Sequence, residues 1–404
     1  MYIEKILPDI IRKNEKKILL MVLDGLGGLP DISTGKTELE TAIIPNLNNF
    51  AKRGSCGLTI PIAAGITPGS GPAHLALFGY DPVEYQIGRG VLEALGIGMK
   101  LGKEDLAIRG NFATIDEKRV VTDRRAGRIS TEENAKLVSM LQAEIPEIKG
   151  IRCTIRTVKE HRLAIVFSGN GLSPELSEND PEKEGLPLRK IEVLKPEADF
   201  TGQVIAEFLT RVEALLAKID SKAKTILLRG FSRQPEIPGF EEKYKLKAAC
   251  IASYPMYKGL SRLVGMDVIE NLSSFEEQVN TLLKLYDRYD FFFVHYKKTD
   301  SSGEDGNFRK KVFALEEFDR LFEKISNLQF EAVAVTGDHS TPSLLKSHSW
   351  HPVPIAIVSP NMFSDDVDRF TERSCARGML GIFPATNVMY LLLGASLKLN
   401  KFGA

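Results

Sequence analysis

Residues 17–25 read KILLMVLDG. The apolar run is too short for a typical helix and ends abruptly in Asp24-Gly25. It reads as a strand buried on both faces, with an acid at its carboxyl end. Helical spacing follows over 39–53 and stops at Gly54, a helix-end signal. A second strand is expected over 55–62, then the turn TPGSGP (67–72), then another helical pattern. The alternation of strand and helix predicts an α/β fold with a largely parallel sheet, whose ligands collect at the carboxyl ends of the strands.

The same grammar returns late in the chain. YDFFFVH (289–295) is a strand running into KKTDSSGEDG, and 307–328 reads as a long helix. EAVAV (331–335) is a strand running into TGDHSTP, VPIAIV (353–358) is another, and 385–394 is a closing helix. Between these halves the pattern changes. Short strands such as 161–168 and the polar stretch 169–190 mark an inserted α+β domain. The expected division is 1–106 with 231–404 as the main domain and 107–230 as the insertion. A chain of 404 residues exceeds a usual single core, which agrees with two domains.

Composition excludes several classes. There are 53 basic and 53 acidic residues, so net charge gives no reason to expect nucleic acid or an anionic membrane as partner. No apolar run approaches a membrane span. The opening stretch MYIEKILPDIIRKNEKK reads as a short amphipathic helix rather than a signal peptide. Cys56, Cys153, Cys250 and Cys375 are far apart, which suggests reduced thiols and a cytoplasmic protein. A homo-oligomer is compatible with the sequence, but no partner surface is legible.

The chemistry concentrates at strand ends. Asp24, Asp300, Glu304, Asp338, His339 and His348 all follow apolar strands. A single strand-end Asp is most often a cap or turn residue. Four such clusters on one sheet edge are harder to explain that way, and carboxylates with imidazoles suit divalent ions. Three of the six histidines lie within 339–351, and His351 is a further candidate beside His348. Ser70 lies between Gly69 and Gly71 at a helix start, where glycines permit close approach and free N–H groups attract an anion. Neither a P-loop nor a GxSxG elbow is present. Basic residues supply anion binding: Arg124, Arg125 and Arg128 in DRRAGR, Arg229 at the end of TILLR, Lys258 in YPMYKG, and Arg109 in IRGNFAT.

These motifs, in this order, resemble the archaeal-type 2,3-bisphosphoglycerate-independent phosphoglycerate mutases of the alkaline phosphatase superfamily. VLDGLGG, TPGSGPAHLALFGYDP, DRRAGR, KKTD, TGDHSTP and HSWHPVP carry the resemblance across nearly the whole chain. It implies an alkaline-phosphatase-like, mainly parallel sheet flanked by helices, with a smaller inserted domain that covers the substrate. It further implies a two-metal site: Asp24, Ser70, Asp338 and His339 for one ion, and Asp300, Glu304 and His348 for the other. Mn²⁺ is the first expectation, with Mg²⁺, Co²⁺ or Zn²⁺ as alternatives, and no 2,3-bisphosphoglycerate is needed. Ser70 would be phosphorylated transiently. Lys258, Arg124, Arg128 and Arg229 would bind phosphoglycerate, with Lys258 also serving catalysis and Asp123 acting as acid or base.

One departure stands out. The family pattern is Asp-x-x-x-His-Asp-Gly, whereas this chain reads Asp300-Ser-Ser-Gly-Glu304-Asp-Gly. Glutamate in a ligand position biases the site toward Mn²⁺ or Mg²⁺. It also keeps a second function in view, a metal-dependent phosphohydrolase on the same scaffold. A third reading, a catalytically silent binding protein, is disfavoured by the retained Ser70, Asp24, Asp338 and His339.

Overall fold

A computed structural model of the chain describes residues 2–325 and 328–403. In chain order the strands are β1 (Ile18–Leu23), β2 (Ser55–Ile60), β3 (Leu106–Ile115), β4 (Val121–Asp123), β5 (Glu147–Ile148), β6 (Ile151–Lys159), β7 (Arg162–Ser168), β8 (Thr225–Ser232), β9 (Ala248–Ile251), β10 (Asp267–Val268), β11 (Phe291–Tyr296), β12 (Ala332–Thr336), β13 (Val353–Val358) and β14 (Gly381–Pro384). The chain forms two compact units, Met1–Gln86 with Ile237–Ala404, and Ile87–Glu236.

The first unit is built on an eight-stranded sheet of order β10-β9-β11-β1-β12-β13-β2-β14. Its pairings are parallel except where β13 runs against β12 and β2. Every residue of β1 is buried, as its uninterrupted apolar run requires. Leu19, Met21 and Leu23 pack with Phe50, Phe275, Phe318 and Phe322 on one face. Ile18, Leu20 and Val22 point to the other. There Phe78, at the end of the helix Ser70–Leu77, packs edge-on against Phe293 of β11 at 4.9 Å.

The second unit carries an antiparallel sheet of order β4-β3-β7-β6-β5, with β8 also paired to β3. One face is apolar. Ile108, Phe112, Ile155, Ile165 and Phe167 pack with Val204, Phe208 and Leu141 from the helices Asp199–Leu216 and Thr131–Glu144. The stretch 169–190 has no regular element, yet it is anchored. Asn179 donates to the Ile226 carbonyl and accepts from the Leu228 amide, clamping the stretch to β8.

Local structure departs from the sequence reading in three places. The unit boundaries fall at 86/87 and 236/237 rather than 106/107 and 230/231. The helix Arg89–Gly96 lies on β3 and β8 and so belongs with the second unit. It can lie that close because residue 90 is glycine: a Cβ there would stand 2.2 Å from the Ala107 carbonyl oxygen. The helix expected over 39–53 is two helices, Glu38–Thr41 and Pro45–Ala51, because proline excludes helical geometry from the residue before it. The helix expected over 307–328 is Phe308–Phe322; residues 326 and 327 of that expectation, like residues 1 and 404 of the expected main domain, lie outside the described residues. None of the described helices is long and apolar enough to cross a membrane.

Pro45–Ala51 has no side-chain cap of its own, since Ile44 stands at its N-cap. Asp319, buried on the helix Phe308–Phe322, supplies one. Its Oδ1 accepts from the Leu47 amide at 2.7 Å and its Oδ2 from Asn46. Asp319→Ala should therefore lower stability by about 1–3 kcal/mol, read as a shift of the denaturant midpoint at unchanged slope.

Candidate active site

Register brings the chemistry together. In the parallel run β11-β1-β12, Leu23 lies opposite Tyr296 and Val22 opposite Thr336. The three carboxyl ends are therefore level, and the residues just beyond them share one edge: Asp24, Lys297 to Asp300, and Asp338-His339. Asp24, Asp300, Asp338 and His339 are all at most 1% exposed.

The first cluster converges on one nitrogen. His339 Nε2 lies 3.0 Å from Ser70 Oγ, 3.1 Å from Asp338 Oδ2 and 3.4 Å from Asp24 Oδ1. The other ring nitrogen, Nδ1, is 3.0 Å from Thr341 Oγ1, whose own proton goes to Asp300 Oδ1 at 2.7 Å. Nδ1 must therefore carry the ring proton, which leaves Nε2 with its lone pair toward the cluster. Asp24 Oδ1 and Asp338 Oδ2 are buried without a hydrogen-bond partner. Orphaned carboxylate oxygens beside an imidazole lone pair repel one another unless a cation lies among them. A set of oxygens with one nitrogen suits a divalent ion such as Mn²⁺, Mg²⁺ or Zn²⁺.

Asp300, His339 and His348 make a second group, so His339 belongs to both. His348 Nδ1 donates to the Pro68 carbonyl at 3.0 Å, tying this group to the turn before Ser70. Its Nε2 is 3.5 Å from Asp300 Oδ1, and its ring stacks on His339 at 3.6 Å. Glu304 stands at the margin. Its side chain is 54% exposed and its Oε1 is 3.8 Å from His348 Nε2. Burial and the neighbouring Asp300 raise its pKa. His351 turns away to Ser349 Oγ at 3.1 Å and stacks on Trp350.

Several residues that the sequence did not single out complete the cluster. His74, one helical turn after Ser70, donates Nδ1–H to the Ser70 carbonyl at 2.9 Å and lies 3.1 Å from Asp338 Oδ2. Burial works against its charged form, but Asp338 and Asp24 outweigh burial and raise its pKa. His295 Nε2 lies 3.1 Å from Asp24 Oδ2, and burial lowers its pKa. The Tyr257 hydroxyl donates to the same oxygen. Burial opposes ionisation of Asp24, yet the His295 hydrogen bond and the Lys297 charge hold its carboxyl well below the usual range. Gly25 has φ +64°, and a Cβ there would meet Thr341 Oγ1 at 2.5 Å, so only glycine lets the two loops touch. The i+4 spacing of His74 from Ser70 was a usable signal; Tyr257 and Thr341 offered none.

The basic residues divide between the units. Lys258 follows Tyr257 in the first unit and is buried with Nζ on Glu270 at 3.0 Å. In the second unit, Arg109 lies opposite Arg229, and Asn111 opposite Arg162, on the sheet face away from the apolar core. Arg109 Nε, an N–H donor, is buried without a hydrogen-bond partner, which marks it as a candidate anion contact. Arg124 is bidentate on Asp180, and Arg229 meets Glu178, Asp180 and Glu182. Arg128, exposed and at φ +54°, has no ion-pair partner among the described residues. Both oxygens of Asp123 hold the turn, accepting from the amides of Arg125 and Gly127 at 2.7 Å.

Comparisons with known proteins converge. The family model described as 2,3-bisphosphoglycerate-independent phosphoglycerate mutase matches residues 51–220. A protein of Aquifex aeolicus, named as a probable enzyme of that kind, is 50% identical over 407 residues, covering 99% of this chain and 100% of its own. A Thermus thermophilus protein with the same name is 46% identical over 402 residues, covering 99% of each. Among solved structures, the cofactor-independent phosphoglycerate mutase of Thermoplasma acidophilum is 33% identical with a TM-score of 0.73, covering 94% of this chain and 100% of its own. A Pyrococcus horikoshii protein is 31% identical with a TM-score of 0.83, covering 96% and 99%.

Thr341 is the joint between the two groups. Thr341→Val keeps the shape and removes the hydroxyl that fixes both His339 and Asp300. Titration of Mn²⁺ into chelator-treated protein should show affinity weakened by about 10–100-fold, with the circular dichroism spectrum unchanged.

Proposed function

The chain belongs to the 2,3-bisphosphoglycerate-independent phosphoglycerate mutase family, and from that premise we propose that it interconverts 3-phosphoglycerate and 2-phosphoglycerate through a phosphoserine at Ser70. The observation that carries the reading is the place of Ser70 Oγ, buried at the first residue of a helix and 3.0 Å from His339 Nε2 beside two unpartnered carboxylate oxygens.

Ser70 Oγ gives up its proton and attacks phosphorus, the bond from phosphorus to the glycerate oxygen breaks, and that oxygen takes up a proton to leave phosphorus as a hydroxyl. The glycerate reorients without leaving. Its other hydroxyl then takes the phosphoryl group back and restores the serine. Two in-line transfers leave the configuration at phosphorus unchanged. Asp24, Asp338, His339 and Ser70 would hold one divalent ion, and Asp300, His348 and Glu304, with His339 in reach, a second. Such ions supply positive charge that lowers the cost of the serine alkoxide and of charge on the phosphoryl group. The N-terminal end of the helix Ser70–Leu77 adds its partial positive charge at the same atom.

His74 and His295 orient the first group from behind, through Asp338 and Asp24. Lys258, Arg124, Arg128 and Arg229 are proposed to bind the substrate's phosphate and carboxylate, which guanidinium groups match bidentately. The Asp180 carboxylate fixes Arg124 and Arg229 relative to each other. Asp123, whose two oxygens each accept one amide of the arginine turn and keep further lone pairs, is proposed as the acid or base for the glycerate hydroxyls. Four buried free cysteines fit a cytoplasmic setting.

Ser70→Ala should abolish mutase activity in a coupled assay while the melting temperature of the protein stays close to wild type; retained activity would sink the mechanism. In the same assay wild type should release little inorganic phosphate from 3-phosphoglycerate, and stoichiometric release would make it a hydrolase. Glu304→His should shift the order of activation among Mn²⁺, Mg²⁺, Co²⁺ and Zn²⁺. An unchanged order would remove Glu304 from the ligand set.

A further inference from the structure

Lys297 touches both acid clusters at once. It stands at the N-cap of the helix Lys298–Glu304, with Asp300 in the first turn of that helix. Its Nζ contacts Asp300 Oδ2 and lies 3.0 Å from Asp24 Oδ2 and 3.3 Å from the Tyr257 hydroxyl. The ammonium group is therefore shared between one carboxylate of each candidate ion group. In both cases it takes the outer oxygen. The inner oxygens face the imidazoles, Asp24 Oδ1 toward His339 and Asp300 Oδ1 toward His348. The two outer oxygens are not equally dependent on it. Asp24 Oδ2 also receives Tyr257 and His295, whereas Lys297 is the one side chain bonded to Asp300 Oδ2 among the described residues.

We propose that Lys297 is a positioning residue that makes Asp24 and Asp300 single-oxygen ligands and thereby selects against ions that need both oxygens of a carboxylate. The inference rests on reading these groups as ion sites. Ca²⁺ takes six to eight oxygens and readily accepts carboxylates bidentately, whereas smaller ions such as Mg²⁺ work with fewer oxygens in a stricter geometry. An ammonium group held on the outer oxygen denies Ca²⁺ its second contact and costs the smaller ions nothing in coordination. It also fixes the separation of the two carboxylates, because one nitrogen holds both.

The test is direct binding, with no substrate present. Mn²⁺ and Ca²⁺ are each titrated calorimetrically into chelator-treated full-length wild type, K297M and K297R. K297M keeps the length of the side chain and removes the charge. Its Ca²⁺ affinity relative to Mn²⁺ should rise by about tenfold or more over wild type, because Ca²⁺ gains a ligand atom where Mn²⁺ does not. K297R keeps a cation on the carboxylates and should stay within about threefold of the wild-type ratio. An unchanged ratio in K297M overturns the proposal, and so does a K297R ratio that moves as far as that of K297M. If K297M is insoluble, K297Q is judged by the same criterion. Wild type that binds neither ion would instead refute the ion-site reading itself, a result separable from failure of the Lys297 proposal.

Discussion

Three carboxylates out of reach of water govern how this molecule is put together. Asp24, Asp300 and Asp338 are each at most 1% exposed, and a buried carboxylate is costly unless donors or cations surround it. The local structure supplies them from every side. The Gly25 amide donates to Asp338 Oδ1, Thr341 to Asp300, and Tyr257 and Lys297 to Asp24. Lys311, itself wholly buried, donates to the carbonyls of Gly27 and Thr341 and so binds the loop after β1 to the loop after β12. What remains unmatched, Asp24 Oδ1 and Asp338 Oδ2, is what a cation would satisfy. The candidate site is thus the place where two oxygens of these three acids are left unmatched.

Sheet register does the positioning. A one-residue slip of β11 or β12 against β1 would move Asp300 or His339 along the strand direction by about 3.3 Å, more than the tolerance of any ligand set. Ser70 reaches the same place by another route, at the start of a helix seated on Phe293. Its neighbour Pro68 is held by His348. Ser70 and the group of Asp300 and His348 are consequently tied together by one hydrogen bond across the turn.

Much of this was legible in the sequence because it is written in periodicity. KILLMVL, FFFVH and EAVAV can scarcely be anything but buried strands, and acids that follow such strands in a parallel sheet must share an edge. What escaped is chemistry carried by residues whose local signal is ambiguous. Thr341 looks like any loop threonine, and Tyr257 like any aromatic near a helix start. Their importance comes from partners such as Asp24, 233 positions away from Tyr257. The sequence likewise gives no sign that the rings of His339 and His348 stack, which brings the two groups side by side. The antiparallel course of β13 and the break at Pro45 are likewise tertiary and local details that hydropathy does not record.

The order of the chain has a consequence for its birth on the ribosome. β1 lies between β11 and β12, and β2 between β13 and β14, so the first two strands synthesised have none of their partners until residues 291–384 emerge. The unit Ile87–Glu236 contains every strand partner it needs and is complete much earlier. A nascent chain therefore carries a self-sufficient middle behind an apolar leader that must wait with both strand edges open, the condition in which growing chains are most prone to stick to one another. Ser70 and His339, 269 positions apart, meet only when that wait is over.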